Sequence, residues 1–239
     1  MTVKDEIKKI INEKENLIKI VNEKIWEYAE LGFQEFKSAE LYEDLLKKEG
    51  FQVRTNLGGM PTAFEASFGS GKPIIGILAE YDALPGLSQE AGVSEKSPVV
   101  EEGSGHGCGH NSLGAGAFGA TLSLKEYMKK HKLEGTIKLF GCPSEEKGNS
   151  KTFLARDGYF DDLDAAFTWH PGDRNAIWSL GSLANISVAF SFKGVTAHAA
   201  ATPHLGRSAL DSVEIMNVGV NYLREHIVPE ARVHYAYLD

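Results

Sequence analysis

The sequence predicts an α/β fold in which a mainly parallel sheet is flanked by helices, followed by the start of a smaller α+β domain. Residues 73–79 form an almost continuous apolar run, which suits a strand buried on both faces of a sheet. Strand-like runs then alternate with helical patterns toward the C-terminus. This alternation is typical of a parallel sheet covered by helices.

The N-terminal segment predicts two helices. Apolar residues between Ile7 and Ile25 recur with charged residues between them, at the spacing of an amphipathic helix. Ser38 is a favourable N-cap, so a second helix is expected to begin there and to stop at Gly50. Residues 62–68 alternate in polarity and predict an edge or antiparallel strand.

The segment after the buried strand continues the alternation of helix and strand. Its elements are predicted as a helix over 112–131, a strand over 136–141, a helix over 150–156 and a strand over 164–169.

The pattern changes near residue 184. Residues 184–193 alternate as a strand, 208–226 are helical and 231–238 are strand-like. We interpret these three segments as the first βαβ unit of a second, smaller domain. The predicted boundaries are therefore 1–183 for the first domain and 184–239 for the incomplete second one.

Composition and charge exclude several classes of function. A net charge of −8 argues against binding to nucleic acid or to an anionic membrane, both of which attract clustered Lys and Arg. The N-terminus lacks the pattern of a signal peptide, and no apolar run approaches the ~18 residues of a transmembrane helix. A disulfide between Cys108 and Cys142 is disfavoured, and a reduced, cytoplasmic protein is expected.

Polar motifs directly follow three of the predicted strands. Glu80-Tyr81-Asp82 follows the strand that ends at Ala79, Pro143-Ser144-Glu145-Glu146 follows the strand over 136–141, and His170-Pro171 follows the strand over 164–169. Ligands of open α/β sheets bind outside the carboxyl ends of the strands. Polar loops always follow strands, but three acidic or histidine motifs at one edge indicate a site.

A glycine-rich loop, residues 105–111, supplies a fourth polar motif. Its alternating glycines allow tight bending, and they leave Cys108 and His110 two residues apart, so that both can face one centre. A thiolate and an imidazole suit zinc or a similar divalent ion. The alternative is a flexible linker in which the histidines are incidental.

The adjacent carboxylates Glu145 and Glu146 predict a division of roles. From a turn, one of them can ligate a metal while the other acts as general base on the attacking water. The alternative is a solvated surface pair, but the preceding Gly-Cys-Pro favours a loop.

The ordered motifs resemble the aminoacylase and indole-acetyl-amino-acid-hydrolase-like two-metal peptidases. The resemblance covers nearly the whole chain from residue 5 onward. The motifs that carry it are Glu80-Tyr81-Asp82-Ala83-Leu84-Pro85-Gly86-Leu87, the loop 105–111, Gly141-Cys142-Pro143-Ser144-Glu145-Glu146, Trp169-His170-Pro171 and Ala197-His198-Ala199-Ala200.

The resemblance implies a zinc-peptidase-like fold and two divalent metal ions, Mn or Zn. It implies hydrolysis of the amide bond of an N-acyl or N-aroyl amino acid, such as p-aminobenzoyl-glutamate, or of a dipeptide. It assigns Glu145 as the general base, and the residues that match metal ligands are Cys108, His110, Glu146 and His170.

Three further residues receive roles from the same resemblance. Asp82 matches the acid that orients a ligating group. His198 matches the residue of the smaller domain that steadies the substrate carbonyl or carboxylate, often across a dimer; the alternative is an ordinary surface or core histidine. His106 matches a frequent family position, but we do not expect it to be a ligand.

The resemblance also implies a dimer through the smaller domain, or a hetero-oligomer. Family members are much longer and supply a further His ligand after the smaller domain, so we expect either that the chain is truncated or that the remainder lies on another chain. The competing hypotheses are a non-catalytic fragment or subunit that binds metal weakly, and a thiol-redox protein using Cys108 and Cys142, which the lack of a C-x-x-C motif disfavours.

Overall fold

The computed structural model describes residues 2–177, 181 and 183–238 of the chain. It divides into two units, Met1–Ala176 and Ile177–Asp239. The predicted assignment of residues 1–183 to a catalytic domain and of 184–239 to a smaller domain stays a prediction.

A five-stranded mixed sheet forms the centre of the first unit, in the order β1-β2-β4-β3-β5. Strand β3 pairs in parallel with β4 and β5, which confirms the predicted α/β sheet with parallel strands, although the sheet as a whole is mixed. Strand β2 pairs antiparallel with both β1 and β4, so the predicted antiparallel strand lies inside the sheet and not at its edge. The strands are β1 (Gln52–Thr55), β2 (Phe64–Ser70), β3 (Ile74–Ala79), β4 (Gly135–Gly141) and β5 (Ala165–Phe167).

Helices cover both faces of this sheet. Successive side chains of a strand point to opposite faces, and apolar side chains on each face have to be buried. Leu139 of β4 packs into the core formed with α1, α2 and α3, whereas the next residue, Phe140, packs with Leu154 of α4. Both cores are buried. The helices are α1 (Val3–Tyr28), α2 (Phe36–Lys48), α3 (His110–His131), α4 (Ser150–Arg156) and, in the second unit, α5 (Ala209–Leu223).

Helix α2 begins earlier than the sequence predicts, at Phe36, so Ser38 is not its N-cap. The carboxylate of Glu30 replaces the expected cap. It accepts hydrogen bonds from the backbone N–H of Lys37 at 3.0 Å and from the N–H and hydroxyl of Ser38, both at 2.9 Å. An anion that binds the free amides of a first turn stabilises the helix.

We expect Glu30→Ala to lower the free energy of unfolding by about 1–2 kcal/mol, the usual effect of losing a cap. Urea unfolding followed by circular dichroism measures the change. Glu40→Ala is the matched control, because Glu40 is exposed on the same helix and its loss is expected to cost less than ~0.5 kcal/mol. Equal effects of the two substitutions would contradict the capping role.

The second unit contains the predicted helix but neither predicted strand. Helix α5 is capped by the Ser208 hydroxyl, which accepts from the Asp211 amide at 3.0 Å. Within the described part of this unit, residues 184–193 and 231–238 form no ladder, and both strand predictions are wrong. Alternating polarity permits a strand, but a strand forms only where a neighbour takes up its hydrogen bonds.

No helix within the described ranges is both long enough and apolar enough to cross a membrane.

Candidate metal centre

The predicted strand-end motifs meet at one edge of the sheet. Ala79, the last residue of β3, is paired with Gly141, the last residue of β4, so the residues that follow both strands emerge side by side. Strand β5 pairs with β3 on the other side. The carboxyl ends of these three parallel strands therefore deliver their polar loops to the same place, as the sequence predicts.

His110 is the first residue of α3 and lies fully buried at the centre of this edge. Its Nδ1 is 2.9 Å from Oδ1 of Asp82, and its Nε2 is 3.1 Å from Oε2 of Glu80. Burial alone would lower the pKa of His110, but the bond to Asp82 and the surrounding carboxylates raise it above its ordinary value. Asp82 therefore fixes the orientation of the ring.

Asp82 also binds the turn that carries the two glutamates. Its Oδ2 accepts a hydrogen bond from the backbone N–H of Glu146 at 3.0 Å. Burial opposes ionisation of this carboxyl, but the hydrogen bonds from His110 and from the Glu146 and Glu145 amides lower the pKa of Asp82. One buried carboxylate thus links the imidazole to the glutamate turn.

The glycine-rich loop places its thiol next to the histidine that follows β5. Gly109 has φ +80°, which turns the chain into α3. Cys108 Sγ lies 3.2 Å from His170 Nε2, and the rings of His110 and His170 meet edge to face with centroids 5.8 Å apart. Burial, together with the neighbouring Glu146 carboxylate, raises the pKa of Cys108 to about 12.

Two overlapping groups of potential ligand atoms share His110. Within each group the atoms lie no more than 4.8 Å apart. The groups are Cys108, His110 and His170, and Glu80, His110 and Glu145. Glu146 is as near as Glu145, since an oxygen of each carboxylate is 3.9 Å from His110 Nε2. The predicted ligands are therefore brought together.

Two buried atoms at this centre show that its side chains fit a divalent cation. Glu80 Oε2 and His110 Nε2 face each other, yet neither has a partner of good hydrogen-bond geometry among the described residues. Buried polar atoms are normally hydrogen-bonded, so a facing pair of potential ligand atoms without such bonds indicates an ion site. Sulfur, imidazole nitrogen and carboxylate oxygen together suit zinc or a similar metal.

The sequence-based set of site residues omitted Glu80 and Lys151. Lys151 Nζ, on α4, is hydrogen-bonded to Oε1 of Glu80, whose other oxygen faces His110. The signal for Glu80 was present, because residues two apart in extended chain point the same way and Asp82 was already assigned to the site. No local pattern distinguishes Lys151 from a surface lysine.

Two other histidines make contacts of different kinds. His106 Nε2 lies 2.9 Å from the carbonyl oxygen of Ile25, and burial lowers the pKa of His106. His198 belongs to the second unit, where its Nδ1 accepts from the amides of Ala200 and Ala201. That local turn is consistent with an ordinary surface histidine, and the role of His198 toward a substrate stays a prediction.

Both cysteines are free thiols. Cys142 is fully buried at the end of β4, and burial raises the pKa of Cys142 to about 12. A thiol that is buried and protonated is a poor nucleophile for disulfide exchange. The thiol-redox alternative therefore gains no support.

A mixed α/β sheet whose parallel strand ends gather a thiol, imidazoles and carboxylates has the fold and the site of a metal-binding α/β protein. The model of the peptidase family M20/M25/M40 matches residues 76–224, and the chain belongs to that family.

The chain is similar to proteins of known name and known structure. It is 50% identical over 216 residues to a p-aminobenzoyl-glutamate hydrolase subunit of Escherichia coli, and the match covers 90% of this chain and 45% of that protein. It is 30% identical to mouse Xaa-Arg dipeptidase over 88% of this chain and 47% of the relative. The chain thus spans about half the length of the curated relatives it matches.

A crystal structure of a dinuclear metal binding peptidase of the M20 family from Bacillus subtilis superposes with a TM-score of 0.55 at 23% identity. The superposition covers 72% of this chain and 44% of the crystallised one. It shows that the two proteins share a fold.

Proposed function

We propose that this chain carries the metal centre of an amidohydrolase that cleaves the amide bond of an N-acyl or N-aroyl amino acid, with p-aminobenzoyl-glutamate as the first substrate to test. The cluster around His110 carries the proposal, because it gathers sulfur, nitrogen and carboxylate ligand atoms at the carboxyl ends of parallel strands. The 50% identity to the Escherichia coli p-aminobenzoyl-glutamate hydrolase subunit supports the choice of substrate.

The proposed centre binds two divalent ions, Mn or Zn. Its proposed ligands are the four residues that the sequence predicts, Cys108, His110, Glu146 and His170, with Glu80 as an added carboxylate that faces His110. The mixed set of ligand atoms supports a borderline-soft ion without separating Mn from Zn. Divalent cations in such a centre polarise the scissile carbonyl and acidify water.

The side chains of the protein divide the remaining work. Glu145 is proposed to take a proton from the attacking water and to pass it to the leaving nitrogen. Asp82 holds the His110 ring and the Glu146 amide, so its proposed role is to keep ligand and base in a fixed relation. His198 is proposed to steady the substrate carbonyl or carboxylate from the smaller domain.

The proposed partners are a small N-acyl or N-aroyl amino acid and a further protein chain. Exposed apolar side chains of the second unit, including Ile186, Phe190 and Ile215, support an interface with a second copy or with a different protein chain. The free thiols support a reducing, cytoplasmic location.

The test is to measure release of p-aminobenzoate from p-aminobenzoyl-glutamate by the full-length product of the reading frame. We expect no release after chelation and restored release when Mn or Zn is added back. A screen of N-acetyl amino acids, hippurate and dipeptides under the same conditions defines the acyl group. No metal-dependent release from any of these amides would refute the proposal and favour a non-catalytic subunit.

A further inference from the structure

Glu35 is a buried carboxylate that the proposed chemistry does not use. It lies at the start of α2 and is 0% exposed, yet it makes no capping bond to that helix. Its two oxygens are instead taken by groups distant in the chain. Oε1 accepts from the backbone N–H of Ser144 at 2.7 Å, and Oε2 accepts from the Thr62 hydroxyl at 3.1 Å.

Two amides of one turn are held by buried carboxylates. Glu35 accepts a hydrogen bond from the N–H of Ser144 at 2.7 Å, and Asp82 accepts one from the N–H of Glu146 at 3.0 Å. The turn is thus fixed from two sides. A backbone held in this way directs the side chains of both glutamates toward His110.

Ser144 needs such support because its backbone is in an unfavourable conformation. Its φ is +55°, a region that non-glycine residues seldom adopt and that costs about 1 kcal/mol or more. The Ser144 backbone has little room to relax, because Gly32 packs closely against its side chain. A Cβ added to Gly32 would lie only 2.5 Å from Ser144 Oγ. The strained turn therefore persists only because hydrogen bonds from the surrounding structure hold it in place.

We propose that Glu35 is a positioning residue, which fixes the turn 144–146 and thereby the two glutamate side chains that face His110. It acts by accepting the Ser144 hydrogen bond, so an uncharged acceptor of the same length serves as well. The part of this inference that concerns metal affinity rests on the proposed function, whereas the part that concerns the turn does not.

Four variants separate the hydrogen bond from charge and from size. Glu35→Gln keeps an acceptor for the Ser144 amide. Glu35→Met keeps the length but removes the acceptor, and Glu35→Asp keeps the charge but withdraws it by one methylene. Thr62→Val is the matched control, because it removes the bond to the other oxygen of Glu35 and leaves the Ser144 bond in place.

Amide hydrogen exchange of the metal-free protein, read on peptides covering residues 142–149, measures the turn directly. We expect Glu35→Met and Glu35→Asp to exchange on the order of tenfold faster there, with peptides of β4 unchanged, because local opening is measured separately from global unfolding. Glu35→Gln and Thr62→Val are expected to match the parent. Parent-like exchange in Glu35→Met, or equally fast exchange in Glu35→Gln, would overturn the proposal.

The effect of the turn on the metal centre is measured as zinc affinity, by competition with a chromophoric chelator. We expect Glu35→Met and Glu35→Asp to bind zinc roughly tenfold more weakly than Glu35→Gln, as is usual for residues that support ligands. If Glu35→Met does not fold, Glu35→Asp still decides the outcome. If the parent protein binds no metal, the proposed function fails. The hydrogen-exchange experiment still tests whether Glu35 fixes the turn 144–146, because it uses metal-free protein.

Discussion

Glu145→Gln is expected to lower kcat for amide hydrolysis by about 10²–10⁴-fold, the contribution of a general base, and to leave KM nearly unchanged. The substitution keeps the size of the side chain and removes its basicity. Burial and the neighbouring Glu80 carboxylate raise the pKa of Glu145 above its ordinary value, which makes its carboxylate a stronger base. Steady-state kinetics with p-aminobenzoyl-glutamate at saturating metal measures the loss.

The same variant separates a base from a ligand. Glu145 and Glu146 approach His110 Nε2 equally closely, at 3.9 Å, so distance alone does not divide their roles. If Glu145 is the general base and Glu146 a ligand, Glu145→Gln is expected to bind metal with an affinity within a few-fold of that of the parent, whereas Glu146→Gln is expected to bind it more weakly. Glu134→Gln is the control. Glu134 is exposed and follows the C-terminal end of α3, whereas the site lies at the N-terminal end of that helix. Reversed behaviour of Glu145 and Glu146 would exchange their roles.

The parts of the fold that the sequence predicts are those set by local pattern. The apolar run ending at Ala79 has to be buried on both faces, and the structure covers it from both sides. The strand-end motifs meet because parallel pairing aligns Ala79 with Gly141, so a topological rule was sufficient to bring Asp82 and Glu146 together.

The parts that the sequence does not predict depend on contacts between distant residues. Ser38 has the chemistry of an N-cap, but Glu30 folds back and binds the first amides of α2. Residues 184–193 have the alternation of a strand, but alternation does not supply a partner. Lys151 resembles any helical lysine until the tertiary fold places it against Glu80.

The candidate site shows the same division. Residue types and motif order predicted Cys108 and His110 as site residues, because a thiol and an imidazole two residues apart on a glycine-rich loop can face one centre and three strand-end motifs accompany them. The role of Glu35 was hidden, because its partner Ser144 lies 109 residues away along the chain. Only the fold shows that a carboxylate at the start of α2 binds the glutamate turn.

His110→Ala is expected to weaken metal binding by more than about 100-fold, since even residues that only support ligands contribute about 10–100-fold. His110 is the one residue shared by both groups of potential ligand atoms in the described part of the chain. Its loss also leaves the buried carboxylates of Glu80 and Asp82 without their imidazole partner. Equilibrium dialysis with elemental analysis measures the bound metal.

Thermal unfolding with and without metal gives an independent measure. A metal that binds only the folded protein stabilises it by about 2.7 kcal/mol at one hundred times its Kd, so the parent is expected to gain this increment and His110→Ala, which binds more than about 100-fold more weakly, to gain less than about 0.4 kcal/mol at the same metal concentration. His131→Ala is the matched control, because His131 ends the same helix and makes an exposed contact with Glu6. Metal-dependent stabilisation of His110→Ala equal to that of the parent would place the metal centre elsewhere, since loss of the shared imidazole must weaken both groups of ligands together.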